Sequence, residues 1–456
     1  MKNGIIMRKA LIKKYYSENV VYYDFFHECI IKKYDKNLLI HNDLFKNCDI
    51  ITLCIFIKEL RHMVKKEDLD LVFDPASFAE LSETYADTVV TGYGTVEGRL
   101  CYAFLQDGEK GGVFSKNAAR KILNVYRLAM KSGAPVIGLL DSSGFLIDDG
   151  AEALDAFSEV YKAVSAAKDK ILQIMISGGK TLGQMASLAG IADFYYKEID
   201  MEEALLRTKE LLKILPHSKD MLPEQFPTDD DLNRLNPGIE ELKDDGRAVL
   251  REISDSGFLL EFEDERSPEL TAGIIKINGL PVAAMANNTV NGSNKLGLKA
   301  LIKARLLVRL ADKFSLSIVN VSNTSGFRTD EDQDLMLMAQ GELAEALIKA
   351  RVPKIDLITG KVVGGIFSVM NGKGTGSDLT FMWEGAEVDI IEPRQAAEIV
   401  YGNPEPSVIE EKTAEYIRTH SDASALLSLG IADKVIDPEE TRKYISGALE
   451  TYANVF

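Results

Sequence analysis

KNAARKILNVYRLAMKSGAPVIGLLDSSGF, residues Lys116 to Phe145, aligns without a gap on LKALIKARLLVRLADKFSLSIVNVSNTSGF, residues Leu298 to Phe327. Lys121 falls on Lys303, Arg127 on Arg309, and Ser143-Gly144-Phe145 on Ser325-Gly326-Phe327. A strand-like run precedes each copy, Leu100 to Leu105 and Val282 to Ala286. A further strand and a glycine loop follow each, ILQIMISGGKTLGQMASLAG from Ile171 and PKIDLITGKVVGGIFSVMNG from Pro353, so that Lys180 pairs with Lys361 and Gly183 with Gly364. Any two amphipathic helices look alike, but chance similarity does not keep order and spacing across three successive elements.

Each half therefore reads as strand, helix, strand, helix, strand, glycine loop, helix. Apolar positions at three-to-four spacing, such as Ile122, Val125, Tyr126 and Ala129, mark the helices. Pro135 to Leu140 and Leu316 to Val321 are nearly continuous apolar runs, the pattern of parallel strands covered on both faces. The fold class expected is α/β, in two tandem domains related by internal duplication. Their expected limits are residues 63–215 and 247–456, joined by a linker, 216–246, that carries Pro216, Pro223, Pro227, Pro237 and Asp229-Asp230-Asp231.

A chain of 456 residues is long for one core and comfortable for two. No stretch holds the roughly 18 apolar residues of a membrane span. The net charge of −17 argues against a nucleic-acid partner, which needs clustered Lys and Arg, but leaves room for a local basic rim around an anionic ligand. Cys29, Cys48, Cys54 and Cys101 show neither a disulfide framework nor metal spacing, which fits a reducing cytoplasm and predicts no metal site.

Residues 1–62 differ from the rest. They contain no Pro, one Gly, three of the four Cys, and 11 Lys+Arg against 7 Asp+Glu, leaving 42 against 63 in the remainder. The Arg-rich, acid-poor bias of a transit peptide is absent. The expectation is a doubtful leader, mistranslated or disordered, with Met63 as the true start; codons AAGGAG for Lys58-Glu59 would make a ribosome-binding sequence ahead of it. The alternative is a genuine helical extension.

Side-chain chemistry is sparse. His27, His41 and His62 lie in the leader, His217 in the linker and His420 in a helical stretch, and each reads as a surface or packing residue. Asp148-Asp149 reads as a solvated turn. Neither a G-x-S-x-G elbow nor a dinucleotide fingerprint occurs, and Gly360-Lys361-Val362-Val363-Gly364-Gly365 lacks the Lys-Ser/Thr ending of a phosphate loop. Backbone chemistry remains: a glycine loop leaving a buried strand and entering a helix aims free N–H groups at one spot, an arrangement that stabilises an oxyanion.

From about Phe73 to Gly402 the chain resembles the biotin-dependent acyl-CoA carboxyltransferase family, which includes propionyl-CoA carboxylase β chains and acyl-CoA decarboxylase α chains. The resemblance rests on FDPASFAEL, VVTGYGTVEGR, QDGEKGG, GAPVIGLLDSSG, GIIKINGLPVAAMAN and VPKIDLITGKVVGGIFSVMNGKGTGSDLTFMWEGAEVDII. It implies two crotonase-like domains, the N-terminal one holding acyl-CoA and the C-terminal one holding biotin, with the active site between subunits of a dimer or hexamer. It also implies biotin on a separate biotin carboxyl carrier protein, and a biotin carboxylase subunit or a membrane decarboxylase subunit as partner. By resemblance the biotin-side oxyanion role falls to Gly364, Gly365 and Ile366, and the acyl-side role to Gly183 and Gln184. Gly326 and Phe327 would line the biotin-side pocket. Gly111 and Gly112, with Ser143 and Gly144 at the matching repeat position, would line the acyl-CoA pocket. The implied mechanism needs no protein acid or base: carboxybiotin releases CO2, backbone amides hold the two enolates, and the biotin nitrogen takes the α-proton.

The pattern also departs from the family. Asp141-Ser142-Ser143-Gly144-Phe145-Leu146-Ile147-Asp148-Asp149-Gly150 lacks the usual Arg; Thr181-Leu182-Gly183-Gln184-Met185 replaces a two-glycine loop; Thr359-Gly360-Lys361 lacks a second Arg; and the segment after Asp193 is short. These leave two readings, an enzyme with an altered substrate and a non-catalytic scaffold paralogue.

Overall fold

The computed structural model describes residues 63–81, 88–178, 181, 184–197, 200–262, 267–289, 294–402 and 405–453. The leader, Lys180 and Gly183 lie outside the described residues.

The first half contains β1 (Ala79–Leu81), β2 (Val89–Val96), β3 (Arg99–Gln106), β4 (Val113–Phe114), β5 (Val136–Leu140), β6 (Gly144–Phe145), β7 (Gln173–Ser177) and β8 (Phe194–Tyr196). Its helices are α1 (Lys116–Ser132), α2 (Ala151–Ala167), α3 (Met185–Leu188) and α4 (Met201–Ile214). The sheet runs β1-β2-β3-β5-β7-β8, antiparallel as far as β3 and parallel beyond it.

The second half contains β9 (Leu259–Glu261), β10 (Leu270–Ile277), β11 (Leu280–Asn287), β12 (Ile318–Thr324), β13 (Lys354–Val363), β14 (Leu379–Trp383), β15 (Glu387–Asp389) and β16 (Lys434–Ile436). Its helices are α5 (Gly246–Ile253), α6 (Leu298–Lys313), α7 (Gln333–Lys349), α8 (Ile366–Met370), α9 (Pro393–Val400), α10 (Ile409–Tyr416), α11 (Ala423–Ser428) and α12 (Thr441–Ala453). Here the order is β9-β10-β11-β12-β13-β14-β16, with β15 alongside β13. Strand order and sense match the first half from β1 to β8, so the protein consists of two tandem crotonase-like α/β units related by duplication.

The duplication extends to local chemistry. β2–β3 and β10–β11 turn on Glu97-Gly98 and Asn278-Gly279, all four at φ between 50° and 74°, as a two-residue hairpin that follows the strand twist requires. Buried Lys121 donates to the Val89 carbonyl at 2.6 Å, and buried Lys303 to that of Leu270 at 2.9 Å. Asp149 accepts from the first amide of α1, Lys116 N–H, and Glu331 from that of α6, Leu298 N–H, each at 2.7 Å. Exposed Asp148 matches the solvated turn expected; Asp149 is instead a helix-terminus acceptor, placed where the dipole favours a carboxylate.

Both sheets are covered on both faces, which explains their apolar strands. One core joins the halves, including Leu105, Ile137 and Ile174 of the first sheet, Leu205 and Leu212 of α4, and Ala304 and Leu307 of α6. On the other faces α1 and α2 cover the first sheet, and α5 and α12 the second. Residues 217–219 pair with the first half, His217 O accepting from Leu172 N–H and Lys170 O from Lys219 N–H, each at 2.9 Å, whereas from Phe226 onward the stretch lies against the second: Phe226 N–H donates to Gly279 O at 2.9 Å, and fully buried Arg442 to Asp231 O at 3.0 Å. No helix among the described residues is long and apolar enough to cross a membrane.

Candidate active site

In the second half the main chain leaves β13 through Gly364, at φ +82°, and enters α8 with Gly365 as N-cap, at φ −61°. The Gly364 N–H donates to the Asp389 carbonyl at 2.8 Å, so this glycine shapes the turn and its amide is taken. Of the three positions expected to supply donors, Gly365 and Ile366 carry N–H groups with no acceptor among the described residues. Asp389 is itself held by Ile390 N–H (2.7 Å), Tyr416 OH (3.1 Å) and Ser421 OH (2.5 Å), which ties the turn to the segment after α10.

Gly326 and Phe327 stand beside these amides. A Cβ at Gly326, φ +111°, would come within 3.2 Å of the Val363 carbonyl; one at Gly365 would have Phe327 Cε2 as its nearest neighbour at 4.0 Å. Phe327 is fixed by a parallel bridge to Leu296 that reproduces the β4–β6 pairing of Phe114 with Phe145. Lys361 reaches Glu387 at 3.3 Å, and Asn323 accepts its N–H at 3.1 Å while donating to Asp244 at 3.0 Å. Asn323, Lys361, Thr324, Ser325 and Thr359 line an open polar cleft with Asn294. Sequence reasoning missed Asn323 and Asp389. The repeat held a signal for the first, since Asn323 falls on Asp141, which accepts the Val64 N–H at 3.1 Å in the other half.

On the other sheet Gln184 is exposed at the entrance to α3, followed by buried Met185; its carbonyl accepts from Ser187 N–H at 3.0 Å. Gly111, Gly112, Ser143 and Gly144 do come together, but not as donors. The amides of Gly111 and Gly112 are taken by Gly108 O (3.0 Å) and Asp107 O (2.9 Å), and Ser143 donates to Gly111 O at 2.5 Å. A Cβ at Gly112 would fall 1.7 Å from the Asp141 carbonyl, so this glycine permits a close main-chain approach. Gly144, at φ +119°, repeats the conformation of Gly326.

Two crotonase-like units stand in tandem, and the second passes from β13 through Gly364 and Gly365 into the short helix α8. The chain belongs to the carboxyl transferase domain family, which matches residues 63–196 and 181–455. Among relatives, it is 26% identical to the propionyl-CoA carboxylase beta chain of Roseobacter denitrificans, over 86% of this chain and 91% of that one. It is 27% identical to the methylmalonyl-CoA decarboxylase subunit alpha of Veillonella parvula, over 86% and 90%. The fold is that of transcarboxylase 12S, solved as a hexamer assembly with methylmalonyl-coenzyme A bound, at TM-score 0.81 and 24% identity over 86% of this chain and 89% of that one. The protein is thus a carboxyltransferase of the biotin-dependent acyl-CoA carboxylase and decarboxylase family.

Proposed function

We propose that this chain moves a carboxyl group between carboxybiotin, presented on a separate carrier protein, and a short acyl-CoA, as the carboxyltransferase component of a carboxylase. The observation that carries this reading is the pair of open amides at Gly365 and Ile366 beside Phe327. The cradle fits a ureido ring: glycine at 326 and 365 leaves it open, and the aromatic edge offers an apolar wall. Carboxybiotin supplies the carboxyl group and a nitrogen base when bound. The chain's own part is to hold the ureido oxygen on Gly365 and Ile366 N–H, where donors positioned in advance favour developing negative charge. On the other sheet the amides around Gly183 and Gln184 are assigned the thioester oxygen, with Gly111, Gly112, Ser143 and Gly144 shaping the wall beside it.

Dimeric or hexameric assembly, a biotin carboxylase subunit as the energetic partner, and a cytoplasmic location accompany this reading. A decarboxylase subunit performs the same half-reaction in the other direction. Exposed Gln184, where the family has a glycine, favours a second reading, a scaffold paralogue. Avidin-sensitive exchange of labelled carboxyl between malonyl-type CoA esters and a biotinylated carrier tests the proposal. Transfer is expected; its absence with every short acyl-CoA, from a correctly assembled oligomer, selects the scaffold.

A further inference from the structure

Behind α8 lies a buried polar cluster that the mechanism does not use. Asp356 on β13 and Asn320 on β12 are register partners, and Asn320 Nδ2 donates to Asp356 Oδ1 at 2.7 Å. The same Nδ2 donates to the carbonyl of Met370, the last residue of α8, at 3.2 Å. Asn371, at the C-cap, donates through Nδ2 to Asp356 Oδ1 (3.3 Å) and to Ser322 Oγ (3.0 Å). All four side chains are buried. An enclosed cavity beside them is lined by Asn320, Asp356, Met370 and Ser377, and Asn320 Oδ1 finds no partner among the described residues.

The duplicated fold does not require this cluster. The register pair at the matching position of the first half is Gly138 and Met175, packed so closely that a Cβ at Gly138 would lie 2.3 Å from the Met175 sulfur. Burying a carboxylate carries a desolvation cost of several kcal/mol before compensation. Here the carboxylate stands only in the half whose helix starts with the open amides, and its bonds reach the opposite end of that five-residue helix.

We propose that Asp356 is a positioning residue for the biotin-side amides, holding α8 through Met370 and Asn371 so that Gly365 and Ile366 N–H stay aimed at one point. The proposal rests on the oxyanion reading of those amides. Burial pushes the Asp356 carboxyl up to about 6, against donors from Ser377, Asn320 and Asn371 and the nearby Lys354 ammonium, which binds the carbonyls of Ala350 and Val352. Asp378 and Asp312 act in turn on Lys354.

The full chain is compared with Asp356→Ala and Asp356→Asn by amide hydrogen exchange and by carboxyl transfer. In Asp356→Ala, exchange in residues 364–371 should rise on the order of tenfold while 184–190 stays unchanged, since only one helix loses its anchor. Transfer kcat should fall on the order of tenfold with the acyl-CoA KM unaltered. Asp356→Asn, which keeps an acceptor of the same shape, should restore both. Unchanged exchange at 364–371, or wild-type kcat in Asp356→Ala, overturns the proposal. If Asp356→Ala does not fold, Asn371→Ala is measured in its place, and unchanged exchange at 364–371 there overturns it. Absence of transfer by the wild type would sink the functional reading instead, and exchange alone would then decide the role of Asp356.

Discussion

Lys313 of the second half and Asp193 of the first form a buried ion pair, the ammonium lying 2.8 Å and 2.7 Å from the two carboxylate oxygens and 2.7 Å from the Ile171 carbonyl. Burial pushes Asp193 up and Lys313 down, each opposed by the attraction of the other. A pair of this kind gives little net stability, but removing one member leaves an uncompensated charge.

Lys313→Met alone should therefore destabilise the fold by about 3–5 kcal/mol. Adding Asp193→Asn, which still accepts the Gln173 N–H now bonded at 2.8 Å, should recover part of the loss. Denaturant midpoints of the single and double variants check this. Additive losses would show that the two residues act independently.

His217 supplies a pH dependence. Burial holds its imidazole down to about 4, with Arg99 adding repulsion and the carbonyls of Leu212, at 2.8 Å, and Leu100 opposing. The folded chain keeps this ring neutral, whereas an unfolded chain takes up a proton below about pH 6.5. The associated stability is complete above about pH 6.5 and declines as pH falls towards 4, by on the order of 3 kcal/mol. Denaturant midpoints at pH 7.5 and 5 should differ less in His217→Gln than in the wild type. Equal differences would remove His217 from the account.

The duplication was legible because period and order survive in the residues, down to Gly144 and Gly326, which share a left-handed φ. What each glycine does was not legible. Gly112 and Gly365 are the same letter, yet one admits the Asp141 carbonyl and the other leaves an amide open. The occupation of the Gly364 amide depends on β15, which has no counterpart among the described residues of the first half, so comparing the repeats did not disclose it. The Asp356 cluster was hidden for a similar reason: its members are scattered over 52 positions from Asn320 to Asn371, and only the register of β12 with β13 brings them together.

Gly365 gives the direct test of the biotin-side amides. At φ −61° any L-residue fits the backbone, and the nearest atom to a Cβ is 4.0 Å away, so Gly365→Ala should fold normally. Gly365→Val should also fold, but its γ-carbons crowd the space in front of the amides towards Phe327. Carboxyl transfer should fall by about 10²-fold, the scale of losing one oxyanion donor. Gly364→Ala is expected to behave differently, losing stability by about 1–2 kcal/mol because φ +82° strains a residue with a Cβ. Transfer rates and melting temperatures of the three variants distinguish the two glycines.

Gln184 decides whether the first half still handles an acyl-CoA. Its side chain is exposed at the entrance to α3, at the point where the other half has Gly365 and its open amide. If it only narrows the approach to the turn, Gln184→Gly should widen that approach, and because the exposed side chain has no hydrogen bond among the described residues, melting should shift little. Transfer measured across acetyl-, propionyl- and butyryl-CoA should then rise, or its preferred chain length should lengthen. A side chain that instead donates to the thioester through its amide would make the same substitution costly with every acyl-CoA, with kcat falling on the order of tenfold as one hydrogen bond to developing charge is lost. A variant indistinguishable from wild type across the series would show that this turn does not contact the acyl group, and would leave the first half as the scaffold on which the second half works.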